Sequence, residues 1–159
     1  MKKLLKENYW FVIVVIAIIL IKNFIFTPVI VDGPSMEPTL KNGNIMIMSR
    51  LTYKSNLPKR FDIVVIQKKV PIIKRVIGLP GERIMIKDNI LYINNKIVSE
   101  PYKHQLTLDY KLEQVIPEGY YFVLGDNRPI SNDSRIFGLI SQEEILGNII
   151  ISIIPPKII

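Results

Sequence analysis

The sequence predicts an all-β domain preceded by one membrane-spanning helix. Two observations carry that prediction. Apolar residues concentrate near the N-terminus in one unbroken run, Tyr9 to Ile21, behind the basic start Met1-Lys-Lys-Leu-Leu-Lys6. Beyond residue 28 the chain divides into short β-branched and aromatic stretches separated by turn residues, with no sustained helical period. A chain of 159 residues has room for one domain and little else.

The membrane segment comes first. Lys22 and Asn23 interrupt the apolar run, and Phe24-Ile-Phe26-Thr-Pro28 continues it. Tyr9 to Ile21 rises only about 20 Å as a helix, short of the roughly 30 Å hydrocarbon core, whereas a span over 9–27 is long enough. Lys22 lies near the outer end of that span, where its butyl stem carries the ammonium to the interface. A cleaved signal peptide has the same basic start, but its cut site needs small residues. Asn23-Phe24-Ile25-Phe26-Thr27 offers bulky ones, which favours an uncleaved anchor. Lys2, Lys3 and Lys6 favour a cytoplasmic N-terminus over residues 1–8 and place residues 28–159 outside the cell membrane.

The predicted strands follow. They are Asn44–Met48, Asp62–Ile66, Ile72–Ile77, Ile84–Ile86, Ile90–Ile93, Lys96–Val98 and Tyr120–Leu124. Gly43, Pro58, Pro71, Leu79-Pro80-Gly81 and Gly125-Asp126-Asn127 punctuate them. Leu91 to Ile97 reads as a hairpin closed by Asn94-Asn95, since Asn tolerates positive φ. A turn or two of helix is expected near Ser141–Ile145. Two apolar stretches, Ile149–Pro156 and Lys157–Ile159, either pack in the core or rest on the bilayer.

Composition removes several kinds of chemistry. With no cysteine there is no disulfide scaffold, thiol nucleophile or cysteine-ligated metal. One histidine, His104, excludes a site needing two; it has no distinctive neighbours and reads as a surface residue. The net charge of +7 suits anionic lipid or nucleic acid. Residues 1–28 hold four Lys and one Glu, +3 of that total, and the other lysines are scattered, which argues against nucleic acid.

Three places carry candidate chemistry. Ser35 sits in Val31-Asp-Gly-Pro-Ser-Met-Glu-Pro-Thr-Leu40, where a serine beside proline serves as a turn residue or as a nucleophile. Lys74, in Pro71-Ile-Ile-Lys-Arg-Val-Ile-Gly-Leu-Pro-Gly81, shares a strand face with Ile72 and Val76, with Arg75 on the other face. A lysine among apolar side chains loses hydration and its pKa falls; a snorkelling edge-strand lysine fits the same letters. The third place is Leu124-Gly-Asp-Asn-Arg-Pro-Ile-Ser131-Asn-Asp133-Ser-Arg135, a solvated loop or a polar network with Asp133 or Asp126 holding Arg135 bidentate. A serine nucleophile needs a neighbouring base, and lysine is one known partner.

Taken in order, these blocks resemble the bacterial type I signal peptidases (leader peptidases), in the short single-anchor form of low-GC Gram-positive bacteria. The matching residues are Gly33-Pro-Ser35-Met36-Glu-Pro38-Thr-Leu40, Phe61–Ile66, Lys74-Arg-Val-Ile-Gly78-Leu-Pro80-Gly81 and Gly125-Asp126-Asn127 through Ser131, Asp133-Ser-Arg135 and Gly138. The resemblance implies an all-β, signal-peptidase-like catalytic domain behind one transmembrane helix. It implies a serine endopeptidase that removes signal peptides from exported preproteins at the outer face of the membrane, cutting after small-x-small (Ala-x-Ala) ends, with no metal or cofactor. Its partners would be secretory preproteins and the lipid bilayer.

Carried over by position, Ser35 resembles the nucleophile and Lys74 the general base, with the Ser35 backbone N–H donating to the oxyanion. Met36 resembles the residue beside the nucleophile, and Ser131 the hydroxyl that orients the lysine. Asp126, Asp133 and Arg135 resemble a supporting polar network. Some family members carry a hydroxyl donor two residues before the nucleophile, where this chain has Gly33. A self-cleaving Ser-Lys repressor would need a soluble DNA-binding domain where this chain has its apolar segment. A catalytically silent homologue would have lost the dyad that Ser35 and Lys74 supply.

Overall fold

The computed structural model describes residues 9–158. It opens with helix α1 (Tyr9–Ile25), 17 residues with no acidic side chain in the first turn. Among the described residues, no helix is long and apolar enough to cross a membrane. The apolar span over 9–27 ends early as a helix, because Phe26 and Thr27 begin strand β1 (Phe26–Ile30) and pair with Ser49 and Met48. Residues 1–8, with Lys2, Lys3 and Lys6, lie outside the described residues, as does the side chain of Lys22.

The rest of the chain is mostly β. Strand β2 (Ile45–Ser49) and the short helix α2 (Thr52–Ser55) precede β3 (Ile63–Ile66) and β4 (Ile72–Gly78). Strands β5 (Ile84–Lys87), β6 (Ile90–Ile93), β7 (Lys96–Val98) and β8 (Tyr110–Lys111) follow, then β9 (Tyr120–Leu124). Helix α3 (Ser134–Phe137), β10 (Ile140–Ser141), β11 (Ile145–Ile154) and β12 (Lys157–Ile158) close the chain. The larger sheet runs β1-β2-β11-β3-β4-β9-β10, with β12 beside β11; the smaller runs β7-β6-β5-β8. All pairings are antiparallel.

Local chemistry explains much of this. Asn94 and Asn95 both hold positive φ (50° and 64°) in the turn joining β6 and β7. Asp88 and Asn89 make the equivalent turn between β5 and β6 (φ 50° and 63°). The expected turn near Ser141 is a 3₁₀ helix, Gln142–Glu144, closed by a capping box between Ser141 and Glu144.

The apolar C-terminal stretch is resolved in favour of the core at its first half. Strand β11 lies between β2 and β3, with Ile149 buried; its far end, Ile151, Ile153 and Ile154, is exposed. Gly147 lets this strand lie close to its neighbour, since a Cβ there would collide with the Ser49 carbonyl group.

Two faces of the larger sheet are covered differently. Val64, Ile66, Val76, Tyr121, Val123 and Ile140 form one cluster. Ile77, Phe122 and Leu124 join Ile84, Ile86 and Leu91 of the smaller sheet in another, so the two sheets share a core. A third cluster, with Val31, Met36, Leu40, Met46, Met48 and Val65, lies beneath the loop that follows β1. Burying each such side chain contributes about 1.5–3 kcal/mol, which makes that loop an anchored part of the domain.

Candidate active site

Ser35 lies in the loop between β1 and β2. Gly33 takes φ 90°, a conformation that favours glycine, and its N–H donates to Asn42 Oδ1 at 2.9 Å. Glu37 N–H closes a turn on the Pro34 carbonyl at 3.1 Å, and the neighbouring Met36 is buried in the core. From the other side, Asn127 N–H donates to the Ser35 carbonyl at 3.0 Å and Asn127 Nδ2 to the Pro34 carbonyl at 3.2 Å. The serine is therefore fixed between an apolar floor and the loop after β9.

Lys74 comes from the middle of β4 and is only 3% exposed. Its Nζ donates to Ser35 Oγ at 2.8 Å and to the Ile73 carbonyl at 3.0 Å. Burial lowers its pKa to about 8, against the opposing pull of the Asp133 and Asp126 carboxylates. The snorkelling edge-strand alternative does not apply, because β4 is paired on both sides, by β3 and β9.

Lys74 and Ser35 are 39 positions apart, and the register of the sheet brings them together. Arg75, next to Lys74, pairs with Leu124, the last residue of β9, and Gly125 follows it. A Cβ on Gly125 would collide with Ser131 Oγ and with the Ser35 carbonyl oxygen. That bare position is what lets Ser131 and Ser35 approach the lysine's strand. Ser131 Oγ is buried and has no hydrogen-bond partner among the described residues, so no bond joins it to Lys74.

The acidic residues divide the work. Asp126, fully buried, accepts from Arg75 Nε at 2.9 Å and Nη2 at 2.6 Å, and from the Thr39 hydroxyl. Asp133, also fully buried, accepts from Arg135 Nε and Nη2 at 2.8 Å each and from Gly125 N–H at 3.0 Å. Of the two carboxylates proposed for Arg135, Asp133 is the partner; Asp126 takes Arg75. The bidentate pairs bury charge with its donors satisfied.

His104 departs from its surface reading. Its side chain is 13% exposed and its Nε2 lies 3.1 Å from Glu100 Oε2, which raises the imidazole pKa. Glu100, Tyr102 and Thr107 form a hydrogen-bonded cluster around Arg128. Gly125, Arg128 and Glu100 are absent from the sequence-based roles. The run Gly125-Asp-Asn-Arg128 after an apolar strand is the only signal that pointed to the first two.

A cavity of about 150 Å³ opens beside Ser35 and Lys74, lined by Val29, Val31, Met36 and Val65 among others. A larger one of about 910 Å³, lined by Arg50, Tyr53, Gln142 and Glu143 among others, contains neither Ser35 nor Lys74. Among the described residues, no group of His, Asp or Glu is arranged to hold a metal ion.

The family model described as "Signal peptidase, peptidase S26" matches residues 4–154. The chain belongs to this family. It is a serine peptidase, a hydrolase. Signal peptidase I of Bacillus caldolyticus is 44% identical, covering 88% of this chain and 85% of its own. Signal peptidase I V of Bacillus subtilis is 41% identical, covering 90% of this chain and 96% of its own. A crystal structure of a signal peptidase I from Enterococcus faecalis superposes with a TM-score of 0.53 at 40% identity, covering 58% of this chain and 97% of that one.

Proposed function

We propose that the protein removes N-terminal signal peptides from exported preproteins by a Ser-Lys dyad, with Ser35 as nucleophile and Lys74 as general base. The observation that carries this reading is the 2.8 Å contact between Ser35 Oγ and the Nζ of a buried lysine. A lysine at its ordinary pKa of about 10.4 is almost wholly protonated near neutrality and cannot take a proton. Burial brings Lys74 to about 8 and leaves a useful neutral fraction.

In the forward reaction, neutral Lys74 accepts the Ser35 hydroxyl proton as Oγ attacks the scissile carbonyl carbon. The new C–O bond pushes the carbonyl electron pair onto oxygen, and the Ser35 backbone N–H donates to that oxyanion. Gly33 has no side chain to add a second donor. As the tetrahedral centre collapses, the C–N bond breaks and the Lys74 ammonium protonates the leaving amine. Lys74, neutral again, then deprotonates a water molecule that attacks the ester, and Ser35 leaves with the proton. The sequence of steps calls on no metal or cofactor. Asp126, Asp133 and Arg135 hold the walls.

Specificity for small-x-small ends has two supports. Strand β1 is an edge of the larger sheet, so an extended peptide can add to it through backbone hydrogen bonds. The adjoining cavity of about 150 Å³, where Val29, Val31, Met36 and Val65 stand beside the dyad, suits short side chains such as alanine. We further infer that the apolar segment over 9–27 anchors the chain in the cell membrane, N-terminus inside and residues 28–159 outside, beside membrane-held preproteins. Its support is the hydropathy of the segment and the basic residues before it.

The test uses the full chain in detergent with a preprotein whose signal ends in Ala-x-Ala, beside Ser35→Ala. Product from the wild type alone, cut after the second alanine, is expected. An uncut substrate with folded wild-type protein, or equal cutting by Ser35→Ala, would overturn the reading.

A further inference from the structure

The loop after β9 contains a cation that the dyad chemistry leaves unused. Arg128 is 2% exposed. Its Nε donates to the Gly125 carbonyl at 3.0 Å and its Nη1 to Thr107 Oγ1 at 2.8 Å. Nη2 donates to Tyr102 Oη at 3.1 Å and to Glu100, whose carboxylate is buried with it as an ion pair. Every nitrogen of the guanidinium is engaged.

These contacts fix Gly125, the residue that follows β9. Gly125 is held at its N–H by Asp133 Oδ2 (3.0 Å) and at its carbonyl by Arg128. Asp133 is held by Arg135, and Arg135 Nη2 donates back to the Arg128 carbonyl at 2.6 Å. The circuit Gly125–Asp133–Arg135–Arg128 closes on itself, with Ser131 against the bare Gly125 position. Residues 99–109, between β7 and β8, aim the guanidinium through Glu100 and Thr107. They are tied to the same site twice more. Gln105 N–H donates to the Asp126 carbonyl at 2.9 Å, and the Tyr102 ring lies 3.8 Å from the Arg75 guanidinium.

We propose that Arg128 is a positioning residue for the peptidase reaction, aimed by Glu100 and Thr107 so that it fixes Gly125 and, through it, the spacing of Ser131, Ser35 and Lys74. The inference rests on the dyad reading above. Arg128 makes no hydrogen bond to Ser35 or Lys74 and does not line the cavity beside them. Its removal therefore acts on the geometry of the chemical step and leaves ground-state binding alone. Lysine cannot replace it, since one ammonium cannot span Glu100, Thr107 and Gly125 in a planar fork.

The experiment measures kcat and KM of the full chain in detergent on an Ala-x-Ala preprotein, for wild type, Arg128→Lys, Glu100→Gln and Thr107→Val, with thermal melting alongside. Expected for Arg128→Lys and Glu100→Gln is a kcat at least tenfold lower with KM within twofold of wild type, in protein still folded at the assay temperature. A double variant carrying Arg128→Lys and Glu100→Gln, measured beside them, should be no slower than Arg128→Lys, because both changes cut one circuit. A kcat within twofold of wild type in the folded variants would overturn the inference, as would a loss confined to KM. If Arg128→Lys does not fold, Glu100→Gln and Thr107→Val carry the test, with a kcat loss expected in each. Failure of all three to fold would assign the cluster to folding alone and overturn it too. A wild type that leaves the substrate uncut overturns the dyad reading itself, and this inference with it.

Discussion

Substituting Gly125 by alanine tests how tightly the site is built. An ideal Cβ at this position would lie 2.7 Å from Ser131 Cβ, and nearer still to Ser131 Oγ and the Ser35 carbonyl oxygen. Carbon atoms sit comfortably at about 3.5–4.0 Å, so the neighbours must retreat by about 1 Å. The Ser131 side chain is buried and Ser35 is held by Asn127, so neither yields freely. A retreat of that size takes Ser35 Oγ out of its 2.8 Å contact with Lys74. A misplacement of about 1 Å costs about 100-fold in rate, or about 2.7 kcal/mol in the barrier. The assay compares kcat/KM for wild type and Gly125→Ala on the same preprotein, with near-ultraviolet circular dichroism to confirm the fold. A folded variant within threefold of wild type would refute the crowding argument.

Three other outcomes are expected. With Lys74 at about 8, its neutral fraction rises from about 9% at pH 7 to about 91% at pH 9. The single-turnover rate should therefore increase about tenfold over that interval, and a flat profile from pH 5 to 10 would contradict the base assignment. Lys74→Arg should abolish processing, because arginine keeps its proton at every working pH; cleavage at the wild-type rate would show that another group is the base. Burial pushes Glu100 up, but hydrogen bonds from His104 and Arg128 outweigh it and hold the carboxyl at about 2. Its folded pKa is thus below its unfolded one. The stability it contributes, on the order of 3 kcal/mol, is present above the unfolded value and lost as pH falls towards 2. Thermal melts between pH 7 and pH 2 check this, and a midpoint unchanged down to pH 3 would contradict it.

The strands bounded by turn residues were legible in the letters. Ile90–Ile93, Lys96–Val98 and Tyr120–Leu124 match their predicted bounds, because Asn pairs, Gly and Pro fix where each can end. Strand β11 was not, although it is the longest. A strand that lies between two neighbours for half its length and emerges from the core for the rest shows a near-continuous apolar run, which a surface-seeking or lipid-facing segment also shows. Only its neighbours β2 and β3 settle that. The outer end of α1 failed for a similar reason: Phe26 and Thr27 continue the apolar run but take their hydrogen bonds from β2.

The site was legible unevenly. Strand alternation separated Lys74 from Arg75 in the reading of the letters, and nothing in spacing could show that Arg75 would meet Asp126, 51 positions away. The nearness of Ser35 to Lys74 was suggested by resemblance and needed the sheet register to become a distance. Arg128 and Glu100 were invisible as a pair, since an ion pair between two loops has no period. His104 looked like a surface residue because its partner Glu100 sits in a loop with no recognisable turn signal.

Direct titration of Lys74 bears most closely on the dyad. The full chain in detergent, labelled with ¹³C at lysine Cε, can be followed from pH 6 to pH 11, with the Lys74 resonance assigned by its absence in Lys74→Arg. Burial beside Ser35 predicts a midpoint at about 8. A midpoint at the ordinary lysine value of about 10.4 would contradict it, and the 2.8 Å contact would then join the serine to an ammonium that cannot accept its proton.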